Sequence, residues 1–306
     1  MIHDTSKVDT AEIPLPGPSP RLLGPETGSS RVQVDLAVLS HRGLVRIANE
    51  DHYLVVRFGR TLETVLTSLP ADQLPARSEE VGYGLLVADG VGGAAAGELA
   101  SRTALSTLVS LVLHTPDWIL SDEPAETEVV LHRMAERYRR VDAALREEAG
   151  DDPARAGMAT TMTLACSLGA SLVLGHVGDS RAYLLHRGQL HRLTRDHTYV
   201  RALVDLGELS AEEAGRHPLR HVVTQALGGR RRSFEGDFQR AWLADGDQLL
   251  LCTDGLTNLV DDATIAEVLR GASSSNEACE ALVAAALVKG GRDNVTVALA
   301  RYRFPR

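Results

Sequence analysis

The segment TTMTLACSLGASLVLGHVGDSRAYLLHRGQLHRL, residues 160–193, decides the fold class. Its apolar runs fall at Thr160–Ser167, Ser171–Val177, Arg181–Leu185 and Gln189–Leu193. Each is bounded by turn residues and reads as a short strand. Arg187-Gly188 turns the third run into the fourth, which predicts a hairpin. Strands that cluster like this favour antiparallel sheets covered by helices over a doubly wound parallel sheet.

The flanks extend the pattern. Val32–Leu39 alternates apolar and polar residues, a half-buried strand, and His41-Arg42-Gly43 turns towards a second strand over Tyr53–Phe58. Residues 59–80 are mixed in character, and Pro70 and Pro75 predict loop there. Tyr83–Ala88 is a compact apolar strand that stops at Asp89-Gly90, and the small residues Gly92–Gly97 run into a helix ending near Leu113. Residues 115–127 read as an exposed connection before a helix over Glu128–Glu148. Downstream come a polar helical region from Thr198 to about Arg216 and strands near Ser233–Gln239 and Gln248–Cys252. Helices at about 262–270 and 276–288 precede a final strand over Asn294–Arg303. Residues 1–30 hold five of the 12 prolines and no apolar period, which predicts a disordered tail before one domain over 31–306.

Composition narrows the class. A 44% hydrophobic content over 306 residues excludes a mainly disordered chain, and a net charge of −9 disfavours a surface built to grip nucleic acid or anionic lipid. Cys166, Cys252 and Cys279 have no metal-ligand spacing and suit core positions in a reducing compartment, the cytoplasm. No run approaches eighteen apolar residues, and the start does not read as a signal peptide, so no membrane association is expected.

The acids gather at strand ends. Asn49-Glu50-Asp51 precedes one strand, Asp89-Gly90 ends another, and Gly178-Asp179-Ser180-Arg181 sits between two. Asp254-Gly255 follows Leu249-Leu250-Leu251-Cys252-Thr253, and Asp293-Asn294 opens the last strand. One such acid beside a glycine is as readily an Asx-turn or a cap. Five are different, because sheets bring their strand ends together. Converging carboxylates repel unless cations sit among them, and all-oxygen donors select Mg2+ or Mn2+ over zinc. A glycine carbonyl at Gly90 or Gly255 is itself an available ligand. Arg46 is either a fork of donors for a phosphate or an ordinary surface arginine. His176, His197 and His217 lack Cys partners at zinc spacing.

Taken in order, these motifs resemble the PPM, or PP2C-type, metal-dependent protein serine/threonine phosphatases, specifically their bacterial branch. The resemblance is carried by Gly43–Asp51, Val87–Gly93, Gly157–Thr161, His176–Tyr183, Asp196–Gly228, Leu251–Leu256 and Gly290–Thr296, and it spans about residues 32–302. It implies an α+β fold: a sandwich of two antiparallel β-sheets flanked by helices. It also implies that Asp89 bridges two core ions and that the Gly90 carbonyl binds one of them. Glu50, Asp254 and Asp293 would hold the second ion, with Asp51 and Asn294 as supports. Asp179, helped by Asp254, would serve a weaker third site. Arg46 would bind the substrate phosphate, and residues 196–228 would form a flap beside the site that influences substrate choice.

The implied activity is hydrolysis of phosphoserine and phosphothreonine monoesters by in-line attack of a hydroxide bridging two Mn2+ or Mg2+ ions. The implied partners are phosphorylated proteins and a cognate serine/threonine kinase, with the phosphatase itself a monomer and no nucleic acid involved. A regulatory module that binds a phosphorylated partner without turning it over is the alternative, and no proposed ligand is missing to favour it. Val91 stands where relatives of eukaryotic type carry a histidine, and Ala159 where glycine is usual. Residues 59–81 and 114–128 read as loop insertions or as an interaction surface. The patch Arg230-Arg231-Arg232 reads as a lure for phosphorylated partners or as a solvated turn.

Overall fold

The computed structural model describes residues 32–70, 76–91, 94–114, 126–229 and 234–304. The expected tail, nearly all of the 115–127 connection and the Arg230–Arg232 patch lie outside the described residues.

Two five-stranded sheets stack face to face. One runs in the order β1 (Gln33–His41), β13 (Val295–Arg303), β12 (Gln248–Cys252), β8 (Arg181–His186), β9 (Gln189–Arg192). The other runs β11 (Asp237–Trp242), β7 (Ser171–Val177), β6 (Met162–Leu168), β3 (Arg77–Ala88), β2 (His52–Glu63). Every neighbouring pair in both sheets is antiparallel. Helices α1 (Ala94–His114) and α2 (Thr127–Ala149) cover the second sheet, and α6 (Asp262–Gly271) and α7 (Ser275–Val288) cover the first. The result is the helix–sheet–sheet–helix sandwich that the sequence implied.

Burial on both faces explains why the central strands read as continuous apolar runs. On β3, Leu85 and Val87 face the other sheet, while Leu86 and Ala88 face α1 and α2. On β12, Leu249 and Leu251 face inwards, while Leu250 and Cys252 pack under α6 and α7. The three cysteines are free and buried, in keeping with their expected core role.

Several elements depart from the sequence reading. The loop expected over 59–80 is strand at both its ends, 59–63 and 77–80: β2 and β3 pair from His52↔Ala88 out to Glu63↔Arg77. Cross-strand ion pairs Arg60–Glu80 and Arg57–Glu79 brace this outer ribbon, so it needs no apolar alternation to hold its register. The strand expected near Ser233–Gln239 begins at Asp237 and runs to Trp242, in register with Ser171–His176 of β7. The polar helical region divides into α3 (Tyr199–Asp205) and α4 (Ala211–Arg216). Gly207 turns the chain between them at φ +75°, and a capping box of Ser210 and Glu213 restarts the helix. Three two-residue strands form a small antiparallel sheet in the order β10 (Leu227–Gly228), β5 (Ala159–Thr160), β4 (Gly90–Val91).

Gly175 lets α2 close on β7. A methyl group there would lie 2.8 Å from the Tyr138 ring and 2.9 Å from Met134 Sδ, and the Tyr138 hydroxyl donates to the Gly175 carbonyl at 2.7 Å. Gly175→Ala is expected to lower unfolding free energy by about 1–3 kcal/mol through overpacking. Gly271→Ala, where nothing lies within 4 Å, should be near neutral. Urea denaturation of the two variants checks the contrast, and equal midpoints would contradict this packing account.

Candidate active site

A cleft of about 540 Å³ opens where strands from both sheets end, and Arg46, Glu50, Asp89, Gly90, Asp179, Asp254 and Asp293 all line it. The five separated acidic motifs of the sequence therefore meet in one place. Asp89 closes β3, and its backbone is fixed by two threonines of the Ala159-Thr160-Thr161 run. Its N–H donates to Thr161 Oγ1 at 3.0 Å, while its carbonyl accepts from Thr161 N at 2.9 Å and Thr160 Oγ1 at 2.8 Å. Glycine serves close approach here. A Cβ on Gly90 would fall 2.1 Å from the Gly97 carbonyl in α1, and one on Gly97 would fall 2.3 Å from Glu50 Oε2.

Asn294 clamps the loop that carries Arg46 and Glu50. Its amide donates to the carbonyls of Arg42 and Ala48, both at 2.9 Å, and its side-chain oxygen accepts from Glu50 N at 2.8 Å. Asp254 opens the short helix α5 (Asp254–Thr257), where Asn258 Nδ2 donates to Asp254 Oδ2 at 2.8 Å. Asp51 lies deeper. Thr253 and Thr296 hydroxyls donate to its Oδ2 at 2.8 and 2.7 Å, and its buried Oδ1 has no hydrogen-bond partner. Both residues expected as supports thus brace the cleft without lining it.

Positive charge is scarce among these acids. Burial, reinforced by the neighbouring carboxylates, pushes Asp89 and Asp179 well above the usual carboxylate range and raises Asp254 to about 6 and Asp51 to about 7. Burial also raises Glu50, against the pull of Arg46. The half-exposed Arg46 guanidinium donates to Asp293 Oδ2 at 2.8 Å. Among the described residues, no three His, Cys, Asp or Glu side chains already stand grouped closely enough to hold a metal. The chemistry of the donor set still fits one. The donors are oxygens only, the carboxylates raise one another's affinity for protons, and one buried carboxylate oxygen is unpartnered, which together suit hard divalent cations.

Residues 196–228, the expected flap, are rooted through a residue whose part the sequence did not reveal. His197 N donates to the Gly178 carbonyl at 2.7 Å, and Gly178 N donates back to His197 Nδ1 at 3.2 Å. The ring's other nitrogen donates to Asp237 Oδ2 at 3.2 Å, and the His197 carbonyl accepts from Thr224 N at 2.7 Å. One residue thereby joins both ends of the flap to the turn that carries Asp179. His197→Ala should raise hydrogen exchange across residues 198–224 while leaving β12 protected. Unchanged exchange in the flap would remove this role.

The carboxylates also predict a pH profile. Asp254 and Asp51 titrate higher in the folded chain than their ordinary value of 3.8. Their contribution to stability is then complete below about pH 4 and is lost as pH rises through 6 and 7. With chelator present, the melting temperature should fall from pH 5 to pH 8. Saturating Mn2+ at pH 8 should restore it, and a flat profile in chelator would contradict the assignment.

A family profile described as protein phosphatase 2C matches residues 69–289. The serine/threonine protein phosphatase PstP of Mycobacterium tuberculosis is 37% identical over 264 residues, which cover 86% of this chain and 44% of that relative. The protein phosphatase PhpP of Streptococcus pneumoniae is 30% identical over 268 residues, covering 87% of this chain and 96% of the relative. The chain therefore spans less than half of the first relative and nearly all of the second. Among solved structures, M. tuberculosis PstP/Ppp matches with a TM-score of 0.71 at 34% identity, covering 88% of this chain and 99% of that one. The PstP catalytic domain in complex with two manganese ions matches with a TM-score of 0.69 at 32% identity, covering 89% and 99%. With the sandwich and the cleft agreeing, the chain belongs to the protein phosphatase 2C family, in its bacterial serine/threonine phosphatase branch.

Proposed function

We propose that this chain is a Mn2+- or Mg2+-dependent protein phosphatase that hydrolyses phosphoserine and phosphothreonine monoesters on phosphorylated proteins in the cytoplasm. The observation that carries this reading is the convergence of five carboxylates and the Gly90 backbone on one cleft beside Arg46. Glu50, Asp89, Asp179, Asp254, Asp293 and the Gly90 carbonyl are the oxygen donors, and Asp51 and Asn294 hold the segments that carry them. Two divalent ions, when bound, supply charge neutralisation of the phosphoryl oxygens and acidification of water for in-line attack.

The chain's own groups do the rest. Arg46 exchanges its ion pair with Asp293 for the phosphoryl oxygens, to which it presents a planar fork of donors. Val91, beside Gly90 and partly exposed, has no proton to give, so the departing seryl or threonyl oxygen takes its proton from water or from another group at the cleft. A cysteine nucleophile does not fit, since burial pushes the Cys166 and Cys252 thiols up to about 12. The full set of donors supports turnover over mere capture of a phosphorylated partner.

Asp89→Asn and Asp254→Asn should each reduce turnover of a phosphothreonine peptide by about a hundredfold or more, as expected when charge stabilisation at a reacting centre is lost. Asp179→Ala should lose less, and added Mn2+ should recover part of it. Arg46→Ala should raise KM while calorimetry still detects tight Mn2+ binding, because an arginine offers donors to phosphate and nothing to cations. Near-normal turnover by Asp89→Asn would overturn the assignment.

A further inference from the structure

The mouth of the cleft holds more arginine than one phosphoryl group requires. Besides Arg46, it is lined by Arg220, in the flap between α4 and β10, and by Arg292, in the loop between α7 and β13. Arginines in and just before the flap are matched by acids: Arg192 pairs with Asp196, Arg195 and Arg201 pair with Asp205, and Arg216 pairs with Glu212. Arg220 and Arg292 are both exposed, and neither meets a carboxylate among the described residues. Their backbones are held all the same. Arg220 N donates to the His217 carbonyl at 3.1 Å, and Leu44 N donates to the Gly291 carbonyl, next to Arg292, at 2.7 Å.

The two arginines come from separate segments that line one opening. His221, next to Arg220, lines the same opening and feels the anionic Asp293, which brings the flap turn close to the 292–293 loop. Two divalent ions would cancel most of the charge on the lining carboxylates, and Arg46 answers the phosphoryl group itself. The charge on Arg220 and Arg292 is then left over. It faces whatever flanks the phosphorylated residue. In an extended peptide, side chains two positions apart share a face about 7 Å from each other, so groups flanking the phosphorylated residue lie close to it.

We infer that Arg220 and Arg292 form a second anion subsite that accepts a carboxylate or a further phosphate carried near the phosphorylated residue of a peptide substrate. This rests on the phosphatase reading and adds a substrate preference to it: acidic or multiply phosphorylated segments over neutral ones. Exposed arginines bind carboxylates weakly one at a time, so the two together should give about fivefold to tenfold preference at low salt, shrinking as salt is added.

The test compares phosphothreonine peptides that are identical except for flanking alanines, flanking glutamates or one neighbouring second phosphothreonine. The readout is the ratio of kcat/KM between peptides for the same enzyme, so a general loss of activity cancels. The wild-type chain with Mn2+ should favour both anionic peptides over the alanine peptide. The R220A/R292A double variant should bring the ratios to within about twofold of unity, and R220E/R292E should invert them. A larger effect on the second phosphothreonine than on glutamate identifies phosphate as the preferred anion, and the reverse identifies carboxylate. Wild-type ratios near unity, or ratios unchanged in the double variant, overturn the subsite. Absence of Mn2+-dependent turnover of an aryl phosphate by the wild-type chain would instead overturn the phosphatase reading.

Discussion

Thr253 and Thr296 both donate their hydroxyl protons to one buried oxygen of Asp51. Asp51 leads into β2 in one sheet, while Thr253 follows β12 and Thr296 lies in β13 of the other. A carboxylate that accepts such bonds in a site closed to water is costly to leave unpaired, on the order of 1–3 kcal/mol or more for each lost partner. The two sheets are therefore fixed relative to each other at one end of the sandwich. Asn294, two residues before Thr296 and directly after Asp293, extends the same joint to the Arg42–Glu50 loop. The segments that carry Arg46, Glu50, Asp254 and Asp293 hang from this corner.

The corner is stable in a way that the cleft is not. Burial and neighbouring acids raise Asp51 too, but two hydroxyls hold one of its oxygens, whereas Asp89 and Asp179 are pushed well above the usual carboxylate range by desolvation and mutual repulsion. A chain selected for stability alone would not keep such groups together in a cleft lined by five carboxylates. Their persistence beside a buried carboxylate anchored by two hydroxyls is the pattern expected where a site gives up folding energy for later charge binding. The glycines serve the same end. Gly90, Gly97 and Gly255 each have backbone or carboxylate oxygens where a Cβ would stand, so the ligand-bearing segments approach more closely than side chains would allow.

What was legible in the sequence follows from burial. Strands buried on both faces, such as β7 and β12, carry continuous apolar runs punctuated by glycine, and their bounds were readable to the residue. The β2–β3 ribbon was not, because Arg57, Arg60, Glu79 and Glu80 hold it together by cross-strand pairing, and that leaves a polar mixture indistinguishable from loop. The two-residue strands β4, β5 and β10 are too short to show any period. The acidic positions could be picked out because carboxylates at strand ends are conspicuous. The work of Thr160, Thr161 and His197 could not, because bonds from these side chains to distant backbone have no characteristic spacing.

The flap shows how such hidden bonds connect parts that the sequence presents separately. His197 ties its root to Gly178, one residue before Asp179, and Thr224 closes the far end on the same histidine. Between these anchors the chain runs through α3 and α4, whose own ion pairs neutralise Arg195, Arg201 and Arg216. Arg220 lies beyond both helices, on the stretch that returns to the cleft. An anion drawn to Arg220 would thus pull on a segment whose ends are both tied to the Asp179 turn. The segment that carries Arg220 and the turn that carries Asp179 are linked through one histidine, whose backbone and imidazole hold both by the same few hydrogen bonds.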